Sequence, residues 1–422
     1  MIDFKYLKLL KQQNTLSLYI HIPFCVTKCY YCAFYSEDKN CWDKDTVNSY
    51  ISKLNKELFV LKENYDNFFE TVFIGGGNPG VLSIEQLRNL LINIGPSRET
   101  TFEINPESLT LDHLRLFKEG LATRISVGIQ SFNDDILKIL GRNARRKDNL
   151  KALQFCKTLD SLKIVINDNY FIKNNIISEE EYKKSNTTIK YSFDLMSSLP
   201  TQKLEDSIND IDTINSICDL KHLSLYCLSV EEGTDLYRLV ENKKINKNSD
   251  LFEKDLLENL WAHLSKLGYE HYEVSNFTKD KNYCLHNLRY WNLSPYISLG
   301  STSASTIYDK ETLIRINNTA SIKDYNNSPL FSFYDDEILN KAQFLDEYLI
   351  VSLRNNRGLN YDSMEKHFNI TKGMLLKAFS KINKENYVVD QDSLYLNEEG
   401  IILLDTIILT ISIELEKLKN IN

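Results

Sequence analysis

"YIHIPFCVTKCYYCAFYS", residues 19 to 36, places Cys25, Cys29 and Cys32 on one short loop directly after a β-rich run. The chain holds eight cysteines in 422 residues. At that density this spacing arises by chance about 0.3% of the time, which sets coincidence aside. Three thiolates on a tight loop form a soft ligand set, selecting zinc or an iron–sulfur cluster over hard cations. The C-x3-C-x2-C spacing lets each sulfur reach a different iron. Ordinary electron-transfer clusters take four protein thiolates, but Ala33 and Phe34 follow Cys32, and Cys41 lies nine positions on. A three-cysteine cluster leaves one iron with an open position, where a metal can activate a ligand. The competing reading is a structural zinc site completed by Cys41 or His21. Cys156, Cys218, Cys227 and Cys284 read as ordinary buried thiols.

The run before the cysteines is the first of six strand candidates: 16 to 24, 71 to 77, 100 to 106, 124 to 131, 191 to 200 and 222 to 230. Helical periodicity separates them. Val47, Ile51, Leu54, Leu58 and Leu61 share one face, and Ser83 with Gln86 spells a capping box. Further helices are predicted near 111 to 119, 133 to 140, 147 to 159, 203 to 217 and 250 to 267. Six β/α units in succession predict an open or partial (β/α)6 barrel, whose chemistry gathers at the C-terminal ends of the strands. The polar stretch from 167 to 190 reads as an insertion between the fourth and fifth strands. From about 335 the periodicity changes and ends in a hairpin-like "YVVDQDSLYLNEEG" before a last helix, a small α+β domain of winged-helix-like shape. Between 361 and 422 ten acidic residues outnumber seven basic ones, which disfavours DNA binding there.

A formal charge of −8, with 42% hydrophobic and 26% charged residues, describes a globular chain without the basic face that a general nucleic-acid binder needs. The first residues lack the apolar run of a signal peptide. The longest apolar tract, "GIILLDTIILTISI" at 400 to 413, is interrupted by Asp405 and is too short to span a bilayer. A cytoplasmic protein is expected, and in a reducing compartment clustered cysteines point to metal or catalysis before disulfides.

Other unusual motifs also close strands. "FIGGGNPG" (73 to 80) brings Gly75, Gly76 and Gly77 to the second strand end, where the missing Cβ lets backbone groups approach a ligand. "FEINP" puts Glu103 at the end of the third strand, and "GIQSF" puts Gln130 at the end of the fourth. "CVTKCYYC" with these motifs resembles the signature of the radical S-adenosylmethionine (SAM) superfamily. The resemblance implies a [4Fe–4S] cluster on Cys25, Cys29 and Cys32, whose free iron chelates the amino and carboxylate groups of SAM. It implies an electron donor such as a flavodoxin or ferredoxin, and a deoxyadenosyl radical when the sulfonium is split. By the same resemblance, Tyr19, Tyr31 and Phe34 contact SAM, Gly75 to Gly77 line its amino group, and Glu103 and Gln130 bind its ribose or methionine part. Arg142 of "LGRN" pairs with its carboxylate, since a guanidinium donates two parallel hydrogen bonds. Asp194 of "FDLMSSLP" lies near its adenosine.

The series "YIHIPFC", "GGGNP", "INPESLT", "RISVGIQSFND", "LGRN", "DLMSSLP", "LSLYCLSVEEGTDLY" and "YEVSNF…HNLRYW" is similar to the oxygen-independent coproporphyrinogen III oxidase-like group over residues 16 to 305. The decarboxylating oxidases carry a further cysteine where this chain has Phe34. "HNLRYW", residues 286 to 291, instead resembles the HemW-type heme chaperones, which bind heme and pass it to acceptor proteins. The resemblance implies a radical SAM partial barrel with this extension over residues 1 to 310, and the winged-helix-like domain over 335 to 422. It implies heme and heme-accepting proteins as partners, with no nucleic acid and no transmembrane segment. Reductive SAM cleavage is in keeping with it; coproporphyrinogen oxidase activity is not expected. His286 is the axial-ligand candidate for heme iron, while the same residue reads equally as a packed corner with both ring nitrogens satisfied. The alternative functions are a radical oxidoreductase acting on a porphyrinogen or another substrate, and a zinc-stabilised interaction protein.

Overall fold

The computed structural model describes residues 6–65, 67–162 and 189–421. Its centre is six strands that pair in parallel and in chain order: β1 (Ser17–Ile22), β2 (Thr71–Gly76), β3 (Glu99–Ile104), β4 (Arg124–Gln130), β5 (Lys190–Ser197) and β6 (His222–Cys227). All six predicted strands are present. Their near-continuous apolar runs fit strands covered on both faces, as crossover connections require. Helix Lys44–Asn64 buries Val47, Ile51, Leu54, Leu58 and Leu61 against the sheet. Helix Ile84–Ile94 starts at the expected capping box, in which the Ser83 amide donates to Gln86 Oε1 and the Gln86 amide to Ser83 Oγ.

The sheet continues past these six, which corrects the sequence expectation. After β6 come β7 (Glu270–Glu273), β8 (Asn276–Thr278), β9 (Tyr296–Leu299), β10 (Ala304–Asp309), β11 (Thr312–Asn318) and β12 (Tyr334–Ile338). The twelve strands lie in the order β12-β11-β10-β9-β1-β2-β3-β4-β5-β6-β8-β7. β9 is parallel to β1, and the hairpins at both edges are antiparallel. The order does not return on itself, so the barrel is open. The 167 to 190 insertion lies outside the described residues almost to its end, where β5 begins at Lys190.

The segment between β8 and β9 crosses the N-terminal ends of the central strands. Arg124 and Glu99, the first residues of β4 and β3, form a fully buried ion pair, Nε to Oε2 at 3.0 Å. Arg124 also donates to the carbonyls of Asn282 and Tyr283, and the Leu285 amide donates to Glu99 Oε1 at 2.7 Å. A buried pair must be over-coordinated to offset its desolvation, and here the extra donors and acceptors come from the segment that seals this end of the sheet.

Beyond β12, helix Lys341–Ser352 is followed by β13 (Leu359–Asn360), helices Tyr361–Phe368 and Lys372–Phe379, then β14 (Tyr387–Val389) and β15 (Ser393–Leu396). The three strands form a separate sheet, β13-β15-β14. A second apolar core holds Leu349, Met364, Phe368, Phe379 and Ile411, joined by Leu293 and Leu313 from the main sheet's extension. Among the described residues no helix is long and apolar enough to cross a membrane.

Candidate functional site

The cysteine loop leaves the C-terminal end of β1 and is pinned along its length. The Cys25 amide donates to the Glu37 carbonyl, and the Cys32 amide closes a turn on the Cys29 carbonyl. The Tyr30 amide reaches the Leu140 carbonyl, and the Tyr30 carbonyl accepts from the Leu236 amide. Three separate segments therefore hold one short loop. All three thiols are free. Burial pushes the Cys25 thiol up to about 11 and raises that of Cys32. Metal coordination reverses this, because a coordinating thiol is deprotonated outright.

Opposite the loop stand Arg142, Glu103, Gln130 and Asp194. Arg142 Nη1 donates to Cys29 Sγ (3.5 Å) and Asn105 Oδ1 (3.3 Å), and Nη2 to the Gly128 carbonyl (2.5 Å). Its Nε is buried without a partner among the described residues. Gln130 follows a bulge in the β4–β5 pairing and adopts a left-handed φ of 66°, which turns it out of the ladder. A Cβ on Gly128 would meet Gln130 Nε2, Arg142 Nη2 and Asn105 Oδ1, so these polar groups converge on one backbone position. The Gly76 amide donates to Glu103 Oε2 at 3.3 Å. A Cβ on Gly75 would come within 2.5 Å of that same oxygen, so the glycine permits the contact. Burial, then the charge of Asp194, lift Glu103 to about 8. Burial lifts Asp194 to about 6, although the Ser126 hydroxyl donates to it. Among the described residues neither carboxylate has an ion-pair partner. Burial outweighs the pull of Arg142 on Asp194, and two recessed carboxylates without an ion-pair partner among the described residues suit a ligand that carries positive charge.

Tyr19 and Tyr31 are enclosed, and Phe34 is not. The Tyr19 hydroxyl donates to His21 Nδ1 (3.0 Å), and His21 Nε2 donates to the Tyr35 carbonyl (2.9 Å). This occupies both nitrogens of His21 and removes it as a fourth metal ligand; Cys41 is exposed and pairs with Asp38. Tyr31 packs with Ile136 and Leu140, its hydroxyl close enough to Cys29 and Arg142 to interact with both. Phe34, expected to contact SAM, is 72% exposed. Asn105 and Ser126 were not anticipated. Asn105 lies inside the quoted "INP", but a single strand-end amide carries no signal until Arg142 is seen to bond it.

His286 corrects an expectation. It belongs to helix Leu285–Trp291 and is fully buried at the N-terminal end of β2. Thr71 Oγ1 donates to Ser17, so it accepts from His286 Nδ1 at 2.7 Å. Nε2 then accepts from the Tyr290 hydroxyl at 2.9 Å. Burial lowers the imidazole to about 3. With both nitrogens engaged, no lone pair is left for a heme iron, and the residue is a packed corner.

This thiol loop at the mouth of an open parallel barrel defines a radical SAM protein: the Radical SAM superfamily profile matches residues 19–175. The chain resembles the coproporphyrinogen III oxidase HemN of Escherichia coli, described as a radical SAM enzyme, with a TM-score of 0.75 at 18% identity over 98% of this chain and 94% of that one. In sequence it is 30% identical to the heme chaperone HemW of Buchnera aphidicola subsp. Acyrthosiphon pisum, covering 89% of this chain and 92% of the relative. It is 28% identical to heme chaperone HemW of Bacillus subtilis, covering 92% and 96%. The chain belongs to the HemW family.

Proposed function

We propose that the chain is a heme chaperone that carries a [4Fe–4S] cluster on Cys25, Cys29 and Cys32, holds SAM beside it, and hands heme to acceptor proteins. The observation that carries the cofactor reading is the set of polar groups facing the cysteine loop: a buried arginine on Cys29 Sγ and two recessed carboxylates without an ion-pair partner among the described residues. When bound, SAM on a reduced cluster supplies a deoxyadenosyl radical. Arg142 steadies the thiolate of Cys29 through a charge-assisted bond. Glu103 and Asp194 meet the positive groups of the ligand, Gly75 to Gly77 keep that approach open, and Gln130 and Tyr19 border it. Reductive SAM cleavage is compatible with these groups, and a flavodoxin or ferredoxin is the class of donor that would supply the electron. Because β11 and β12 pair into the main sheet, the barrel with its extension reaches 338 rather than the expected 310, the winged-helix-like unit spans 341 to 422 rather than starting at 335, and the protein works in the cytoplasm.

The heme function is supported by full-length similarity to proteins named heme chaperones. Porphyrinogen oxidation has only the likeness of fold to HemN behind it, and Phe34 stands where those oxidases have a further cysteine. Anaerobic purification, iron and sulfide analysis and heme titration test the proposal. A brown protein that binds heme is expected. A colourless chain, or one that binds no heme, would refute it.

A further inference from the structure

We propose that heme is held in the cleft between the end of the "HNLRYW" helix and the C-terminal winged-helix-like unit, with His367 as its axial ligand; this rests on the heme reading above. A cavity of about 740 Å³ lies there, within the roughly 300 to 1,000 Å³ of small-molecule sites. Trp291, Tyr308, Phe344, Tyr348 and His367 are the aromatic members of its lining, and Tyr308 meets Phe344 edge to face with ring centroids 6.4 Å apart, so these two form one continuous aromatic wall among mostly polar neighbours. An aromatic wall suits a macrocycle, which buries an apolar face against it.

Three facts single out His367. Each of the other six histidines engages a hydrogen-bond partner through its ring. His367 has none among the described residues, though it is half-buried beside the rings of Phe344 and Phe368. Burial and the neighbouring Lys366 lower its basicity, leaving a neutral imidazole with a free lone pair, the form that ligates heme iron. Finally, Lys310, Arg357 and Lys366 line the same cavity, are exposed, and form no ion pair among the described residues. These three cations outnumber the two acidic residues of the lining, Glu311 and Asp392, and an excess of positive charge beside an aromatic wall matches a porphyrin, whose carboxylate-bearing edge stays in water while a face is buried.

The cleft also gives the "HNLRYW" run a role. Its histidine anchors the helix to β2, while its tryptophan reaches the cavity with the indole N–H buried and unpartnered among the described residues.

The test is anaerobic hemin titration of the full-length, cluster-loaded chain. His367→Ala is expected to weaken binding at least about tenfold, the lower end of what even a supporting residue contributes at a metal site. It should abolish the optical and electron paramagnetic resonance (EPR) signature of imidazole ligation, and added imidazole should restore it. Ser363→Trp, one turn away on the same helix and in the cavity wall, should exclude heme by filling the slot. In both variants the effect of SAM on the cluster's EPR spectrum should stay as in wild type. If both variants bound heme with wild-type affinity and spectrum, the cleft assignment would fail while the chaperone reading stood. If the wild-type chain bound no heme, both would fall.

Discussion

Glu103→Gln should stabilise the cofactor-free protein, and by an amount that depends on pH. The Glu103 carboxyl is lifted from its ordinary 4.5 to about 8 by burial and by Asp194. The folded state therefore binds the proton more tightly than the unfolded chain. Below pH 4.5 the group is neutral in both states and costs nothing. As pH rises towards 8 the unfolded chain releases the proton freely while the fold resists, so stability falls. Each unit of that interval is worth about 1.4 kcal/mol. The full span gives about 5 kcal/mol, or about 3 kcal/mol once the water reaching this half-buried group is allowed for. Glutamine has nearly the same shape and no charge, so it removes the dependence. Urea denaturation of apoprotein and variant at several pH values between 5 and 8.5 measures the difference. The variant's advantage should grow by several kcal/mol across the range, while its affinity for SAM should fall, because a positively charged ligand loses its partner. Parallel stability curves would show that Glu103 is not confined as described, and the account of the carboxylate pair would be wrong.

Gly76→Ala should cost about 1 to 3 kcal/mol, because its φ of +108° disfavours a side chain and the new Cβ would lie 2.5 Å from the His21 ring; thermal or urea denaturation reports it, and an unaltered Tm would contradict it. Glu99→Gln should be costlier, about 3 to 5 kcal/mol, since it leaves Arg124 buried without its counter-charge; urea denaturation checks it. His286→Ala should leave the spectrum of bound heme unchanged while destabilising the fold by about 1 to 3 kcal/mol, the cost of leaving Thr71 or Tyr290 without its buried partner; loss of an imidazole-ligated heme spectrum in a folded variant would restore it as the ligand.

The parallel core was legible because each of its strands is an apolar run closed by a glycine, proline or polar turn and followed by a helical period. The edge hairpins were not. β7, β8 and β9 are only three or four residues long, and β12 is largely exposed, so none shows a readable alternation. In the candidate site the cysteines and the strand-end residues declared themselves by position. The partners that orient them did not, since Asn105 and Ser126 act through side chains distant in sequence. His286 shows the limit most plainly: its motif marks a functional segment, but whether a histidine is satisfied depends on Thr71, more than two hundred residues away. The cleft is less legible still, because Trp291 and His367 come to line one cavity only when segments distant in sequence pack on the same core.

The most direct test of the central claim is the EPR spectrum of the anaerobically reconstituted, reduced protein with and without SAM. A [4Fe–4S] signal that shifts when SAM is added, and is lost in Cys29→Ala, is the predicted result. A cluster indifferent to SAM, or one that survives loss of Cys29 unchanged, would contradict the account.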